Sequence, residues 1–243
     1  MKFELTYKVF GESAVLIEWP SKMEEPILDD VIMFNETILK AQIPEINEII
    51  QSINSLTVVF DNGTINHDEL VASLKKIRKG KSILQHSPRT SWKIPVCYDE
   101  TFGLDLAELS AQKGLSKDEI VDIHSQQKYK VYAIGFLPGF LYLGGLDKRL
   151  YSPRRAQPRL EIMKGSVGIG GEQTGIYPSA SPGGWQIIGN TPVTLFDVNK
   201  DIPCFAKPGD KIRFTPISLT DHNLITQLIS VNEYKLEKEV IDD

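Results

Sequence analysis

Hydrophobic and polar positions divide this chain into two stretches with different periods. Over the first ninety residues the two periods alternate. FELTYKVF and SAVLIEW, separated by Gly11, predict two strands. From Glu24 to Gln42 the period becomes helical: Ile27, Val31, Phe34, Ile38 and Ala41 fall three or four apart, and Pro26 sits in the first turn, where a missing N–H costs nothing. INEIIQSI and SLTVVF predict two more strands, and Asp61-Asn62-Gly63 marks a tight turn. A second helix is expected over Asp68 to Lys79, with Leu70, Leu74 and Ile77 inward. With WKIPVCYD as a last strand, the order β-α-β-β-α-β is the ferredoxin-like pattern.

The segment from Lys79 to Ser91 is polar and holds Gly80 and Pro88, which places a boundary there and predicts domains at 1–90 and 91–243. After it come two helices. Leu104 to Lys113 ends at Gly114, a C′ glycine; Ser116-Lys117-Asp118-Glu119 is a capping box opening a helix to about Gln126. From Tyr129 the chain becomes a series of short apolar runs (KYKVYAIGF, GSVGIGG, WQIIGN, TPVTLF, KIRFTPI) punctuated by Gly and Pro, the mark of a β-barrel or sandwich. The last twenty-odd residues, ending LEKEVIDD, read as a helix followed by a frayed charged tail. The fold class is therefore α+β.

Composition changes this picture little. Net charge is −5, so nothing global points to nucleic acid, and no stretch approaches the roughly 20 apolar residues that span a membrane. The N-terminus has no signal-peptide pattern, so the expected compartment is the cytoplasm and Cys97 and Cys204 are expected as buried free thiols. Twelve of the eighteen glycines, however, fall between Tyr132 and Pro192, interleaved with Phe136, Phe140, Tyr142, Tyr177 and Trp185. Disordered low-complexity sequence lacks such aromatics, so this is folded, loop-rich β structure around a functional surface.

Familiar catalytic signatures are missing from it. There is no P-loop, no G-x-G-x-x-G, no G-x-S-x-G, no C-x-x-C and no H-E-x-x-H, and four scattered histidines make no familiar zinc site; no metal site is expected. Arg154, Arg155 and Arg159 lie among Pro138, Pro153 and Pro158. Stiffened guanidinium forks suit a carboxylate or phosphate, or else they are surface arginines pairing with Asp147 or Glu161. His124 sits four after Ile120, at the apolar face of its helix: a hydrogen-bonded core histidine, or a group for proton transfer. Gln173, Thr174 and Tyr177 can bind a small amide or cap their own turn. Trp185 reads as a barrel anchor or a partner hot spot, and GFLPGFLYLGG, with Phe136, Pro138 and Phe140, as a docking patch where its aromatics are exposed.

Taken together, GFLPGFLYLGGL, SPRRAQPR, GSVGIGGEQTGIYP and SPGGWQIIGNTP resemble the family of bacterial 5-oxoprolinase B subunits, also described as the Kip inhibitor or allophanate hydrolase subunit 1 family. The resemblance covers essentially the whole chain, strongly from Ile94 to Pro192 and loosely before it. It implies a ferredoxin-like N-terminal domain and a cyclophilin-like β-barrel C-terminal domain, working with a second barrel protein, the C subunit of 5-oxoprolinase, and with its A subunit. The implied reaction is ATP-dependent opening of 5-oxo-L-proline to L-glutamate, with ATP as co-substrate of the complex and no activity for this chain alone. In that frame Arg155, Arg159 and His124 are the catalytic candidates. Arg154, Gln173, Thr174 and Tyr177 are the substrate-binding ones, and Phe136, Pro138, Phe140 and Trp185 face a partner. A second branch resembles a regulator that blocks autophosphorylation of a sensor histidine kinase, and a third serves allophanate metabolism; the shared barrel motifs do not separate the branches.

Overall fold

A computed structural model describes residues 3–80 and 88–241 and divides the chain into two compact units, Met1–Ser87 and Pro88–Asp243. In the first, β1 (Thr6–Val9), β2 (Ala14–Glu18), β3 (Ile46–Gln51) and β4 (Ser55–Phe60) form an antiparallel sheet of order β1-β2-β4-β3. Helices α1 (Glu25–Ala41) and α2 (His67–Lys79) supply the other layer. In β4 the alternation is complete: Leu56, Val58 and Phe60 are buried and pack with Phe34, Val31 and Leu70 from the helices. An Asn66–Glu69 capping box starts α2, satisfying N–H groups that the first helical turn leaves unpaired.

The second unit is built on β5 (Arg89–Cys97), β6 (Tyr129–Ile134), β7 (Leu141–Gly144), β8 (Arg159–Ile162), β9 (Ser166–Gly170), β10 (Gln173–Ile176), β11 (Ser181–Gly183), β12 (Gln186–Asn190), β13 (Lys211–Ile217) and β14 (Lys238–Ile241). Seven of these make a barrel in the order β12-β9-β10-β7-β6-β13-β5, closed where Asn190 of β12 pairs with Cys97 of β5. The pair β13–β5 is parallel; its partners lie more than a hundred residues apart in sequence. Helices α3 (Leu106–Lys113), α4 (Lys117–Gln126) and α5 (Leu219–Ser230) accompany the barrel, α4 opened by the Ser116–Glu119 capping box and α3 closed by Gly114 at φ 65°. Alternation along the strands gives each sheet face its own cluster. Leu141, Leu143, Val167, Ile169 and Ile176 join α3 and α4 in the main core. Phe140, Tyr177, Trp185 and Ile187 form a second cluster on the opposite face, with Ile162 from β8 of the β8–β11 ribbon.

Two expectations are corrected. WKIPVC does not complete the first sheet: it lies in β5, at the closure of the barrel, and β1 takes the edge beside β2 instead. Periodicity identifies a strand but not its neighbours, and here a run that is buried nearly throughout needs partners on both edges. The C-terminal tail is not frayed throughout, because Lys238–Ile241 pairs antiparallel with Arg89–Trp92 of β5. Cys97 and Cys204, expected as buried free thiols, are both free, but only Cys97 is buried and Cys204 is half-buried. Part of the expected linker, residues 81–87, lies outside the described residues.

Candidate functional site

The glycine-rich motifs converge on the Trp185 cluster. Trp185 directly precedes β12, and its indole lies against β9 and β10. A Cβ at Gly170 would stand 2.6 Å from the indole, and one at Gly175 2.9 Å from it and 2.8 Å from the Leu141 carbonyl. Gly170 and Gly175 therefore make room for the tryptophan ring. Phe140 is the hub of the cluster, edge-to-face with Trp185 (5.5 Å, 89°), Tyr177 (5.2 Å, 88°) and Phe136 (5.6 Å, 87°). Beside these rings is a pocket of about 300 Å³ whose remaining walls include Tyr142, Arg154, Pro158 and the Pro182-Gly183-Gly184 turn. Phe140 and Trp185 are buried, whereas Phe136 is 64% exposed at the rim, with a left-handed backbone (φ 67°). Pro138 is exposed in the turn between them.

A larger open groove, about 570 Å³, lies along β13 and includes Lys93, Arg213 and Tyr234. None of the glycine-rich motifs reaches it, and its Lys93 is already paired with Glu237 at 3.0 Å.

The three loop arginines separate into two roles. Arg159 grips Asp105 with both terminal nitrogens (2.9 and 2.6 Å). Arg155 donates to the same carboxylate at 2.8 Å and to Glu108 at 3.0 Å. Asp105 is almost fully buried and also accepts from the Ile187 backbone N–H at 2.6 Å. Gln186 donates to the Pro153 carbonyl and the Arg155 N–H to the Gly184 carbonyl, so the SPRRAQPR loop is tied to β12 and to the start of α3. The partners are thus Asp105 and Glu108, not Asp147 or Glu161; Asp147 instead pairs with Arg149, whose hydrogen bonds hold its carboxyl down at about 2. Nothing in the sequence singles out Asp105, because an aspartate at a helix N-cap looks like an ordinary cap. Here its side chain makes no cap bond at all. Arg154 turns the other way, its guanidinium 5.9 Å from the Trp185 ring centroid.

His124 and Thr174 meet in the main core, away from the pocket. Thr174 Oγ1 donates to the Gly168 carbonyl (2.9 Å), so it accepts from His124 Nε2 (2.9 Å), which leaves Nδ1 to accept from the Tyr98 hydroxyl (2.8 Å). The bonding fixes a neutral tautomer, and burial pushes the ring's pKa down to about 3. The ring stacks on Phe214 at 4.7 Å, and Tyr129 donates to the His124 carbonyl. Tyr177 is buried in the pocket wall, its phenol raised by that burial, and Gln173 begins β10. Of the anticipated residues, Arg154, Tyr177, Phe136, Phe140 and Trp185 share the pocket; Arg155 and Arg159 frame it; His124 and Thr174 brace the core. No group of three or more His, Cys, Asp or Glu among the described residues is placed to hold a metal ion.

Known proteins resemble this chain in sequence and in fold. Residues 5–206 match the model of the carboxyltransferase domain, subdomain C and D, and the chain belongs to that family. It is 39% identical over 213 residues to the 5-oxoprolinase B subunit of Escherichia coli O157:H7, covering 86% of this chain and 94% of that protein. To the 5-oxoprolinase B subunit of Bacillus subtilis (strain 168) it is 37% identical over 223 residues, covering 88% and 93%. The resemblance read from the motifs is borne out. The crystal structure of the Kluyveromyces lactis urea amidolyase shares the fold (TM-score 0.82) at 21% identity, over 98% of this chain but only 16% of that one.

Proposed function

We propose that this chain is the B subunit of an ATP-dependent 5-oxoprolinase that opens 5-oxo-L-proline to L-glutamate together with the A and C subunits. One observation carries the reading: identity near 40% along almost the whole length of proteins named as 5-oxoprolinase B subunits. The likeness to urea amidolyase is more distant, which sets the allophanate branch second.

The chemistry suits a shared site. A lactam is resonance-stabilised, so water attacks its carbonyl carbon only after activation; phosphorylation of the amide oxygen by ATP makes that carbon electrophilic. Such a route needs anion-stabilising donors rather than a protein nucleophile. This chain has arginines and an aromatic pocket but no P-loop, which supports nucleotide being held in a site completed by a partner, with no turnover by this chain alone. Arg155 and Arg159 serve as positioning residues through Asp105, and the His124–Thr174 chain keeps β9 and β10 in place beneath Trp185. We read the barrel as cyclophilin-like. The first unit we read as a ferredoxin-like arrangement in which an N-terminal strand takes the edge next to β2, consistent with its order β1-β2-β4-β3. No helix among the described residues is long and apolar enough to cross a membrane. The need for ATP supports a cytoplasmic complex.

The test is reconstitution. Mixing the chain with the A and C subunits is expected to give 5-oxoproline-dependent ADP release, lost when this chain is omitted. Turnover of allophanate instead, or arrest of a sensor histidine kinase's autophosphorylation with no turnover at all, would overturn the reading.

A further inference from the structure

Arg154 is set apart from the rest of its loop. Asp105 holds Arg155 and Arg159, so the loop is anchored without it. Among the described residues Arg154 makes no ion pair and no hydrogen bond, and its guanidinium rests against the Trp185 indole. Its charge also reaches the phenols of Tyr142 and Tyr177, opposing the rise that burial causes in both. The residue is exposed, so in the free protein water meets its charge, and the guanidinium fork is open to an incoming carboxylate.

The space beside it sets the size of the other half. About 300 Å³ is at the small end of ligand pockets, room for one ring and its substituents. A nucleoside triphosphate is too large for it and calls for several cations around its phosphates, where this pocket offers one. Its lining is mostly apolar: the exposed Phe136, Pro158 and Pro182 at the mouth, over Phe140, Tyr177 and Trp185, which are buried and packed edge-to-face on one another, a lining suited to a small flat body. At the rim, Phe136 keeps a left-handed backbone that a bulky aromatic seldom adopts, a kind of strain concentrated at ligand sites.

We propose that this pocket binds a small flat ring carrying a single carboxylate, with the ring against Trp185 and Phe140 and the carboxylate on the Arg154 guanidinium. Resting on the function proposed above, the ligand is 5-oxo-L-proline. The pocket opens past the exposed residues Phe136, Pro158 and Pro182, so a partner protein can reach the lactam edge from that side.

Calorimetric titration of the full chain with 5-oxo-L-proline, and with 2-pyrrolidinone, which has the same ring without the carboxylate, tests this. Binding of 5-oxo-L-proline is expected to weaken about tenfold to a hundredfold in Arg154→Gln, the range for a lost charge-assisted bond. Arg213→Gln is expected to leave it unchanged, and 2-pyrrolidinone to bind no better than 5-oxo-L-proline does to Arg154→Gln. In the reconstituted complex the same Arg154→Gln change is expected to raise KM for 5-oxoproline at least tenfold while KM for ATP stays put. Equal binding by wild type and Arg154→Gln, no binding by the wild type, or an unchanged KM for 5-oxoproline would sink the proposal. A complex that turns over no 5-oxoproline, beside a chain whose Arg154 governs ligand binding, would remove the proposed function and leave the pocket standing.

Discussion

Each unit buries an aspartate against arginine, and the two arrangements serve different ends. In the first, Asp30 of α1 accepts from the Trp19 indole at 2.7 Å and pairs with Arg78 of α2; both charged side chains are nearly out of water (7% and 8% exposed). Arg78 also stacks over Phe34, so the pair joins the two helices to each other and to the core. In the second, Asp105 is as deeply buried, but Arg155 and Arg159 stay 30% and 25% exposed, Arg155 in a loop and Arg159 at the start of β8, where that loop ends. There the carboxylate fixes where a loop runs, and the pocket lies along that loop. The same chemistry makes a closed lock in one place and an open frame in the other; what differs is how far the arginines remain hydrated, and so whether a ligand can come near.

Removing each carboxylate is the most direct way to break that comparison. Asp30→Ala leaves Arg78 buried without its counter-ion and is expected to cost about 3–5 kcal/mol in urea unfolding, without touching ligand affinity in molecules still folded. Asp105→Ala leaves two better hydrated arginines and one orphaned N–H. A smaller loss is expected, about 2–3 kcal/mol, together with weaker 5-oxoproline binding. An Asp105→Ala protein that binds as wild type would show that the frame does not shape the pocket. Gly175→Ala pushes a methyl group into Trp185 and the Leu141 carbonyl; about 1–3 kcal/mol and a changed near-ultraviolet tryptophan signal are expected.

Acid sharpens the contrast gradually, pH unit by pH unit. His124 titrates near 3 when folded and near 6.5 when unfolded. Between those values the unfolded chain binds the extra proton, so stability is fully present above about pH 6.5 and falls as pH drops towards 3, by up to about 1.4 kcal/mol per pH unit. His222, also in the second unit, shifts the same way through burial. The second unit is therefore expected to lose hydrogen-exchange protection first on acidification, and His124→Gln to flatten that slope; an unchanged slope in the variant would place the acid sensitivity elsewhere.

Much of the fold is legible in the sequence where the cause is local. The capping box at Ser116–Glu119, Gly114 at a helix end and the alternation of SLTVVF all act within a few residues. Pairing is not local, so WKIPVC goes to the barrel and KEVI becomes a strand because β5 has an edge to fill. At the site, the aromatics and arginines stand out by composition, and burial of Trp185 follows from the isoleucines after it. Their division of labour does not: nothing near Arg154, Arg155 and Arg159 in sequence says that Asp105, some fifty residues earlier, takes two and leaves one.

The position of β5 bears on how the molecule is made. The first unit has its whole sheet by Phe60 and its last helix by Lys79, so it can fold while the ribosome is still working on the rest. The next strand to emerge is β5, which meets none of its strand partners until Asn190 arrives, and lies bare along its length until 211–217 and 238–241 follow. For well over a hundred residues of synthesis the nascent chain carries an apolar strand with both edges open, the period in which it is most prone to adhere to other chains and most dependent on being shielded.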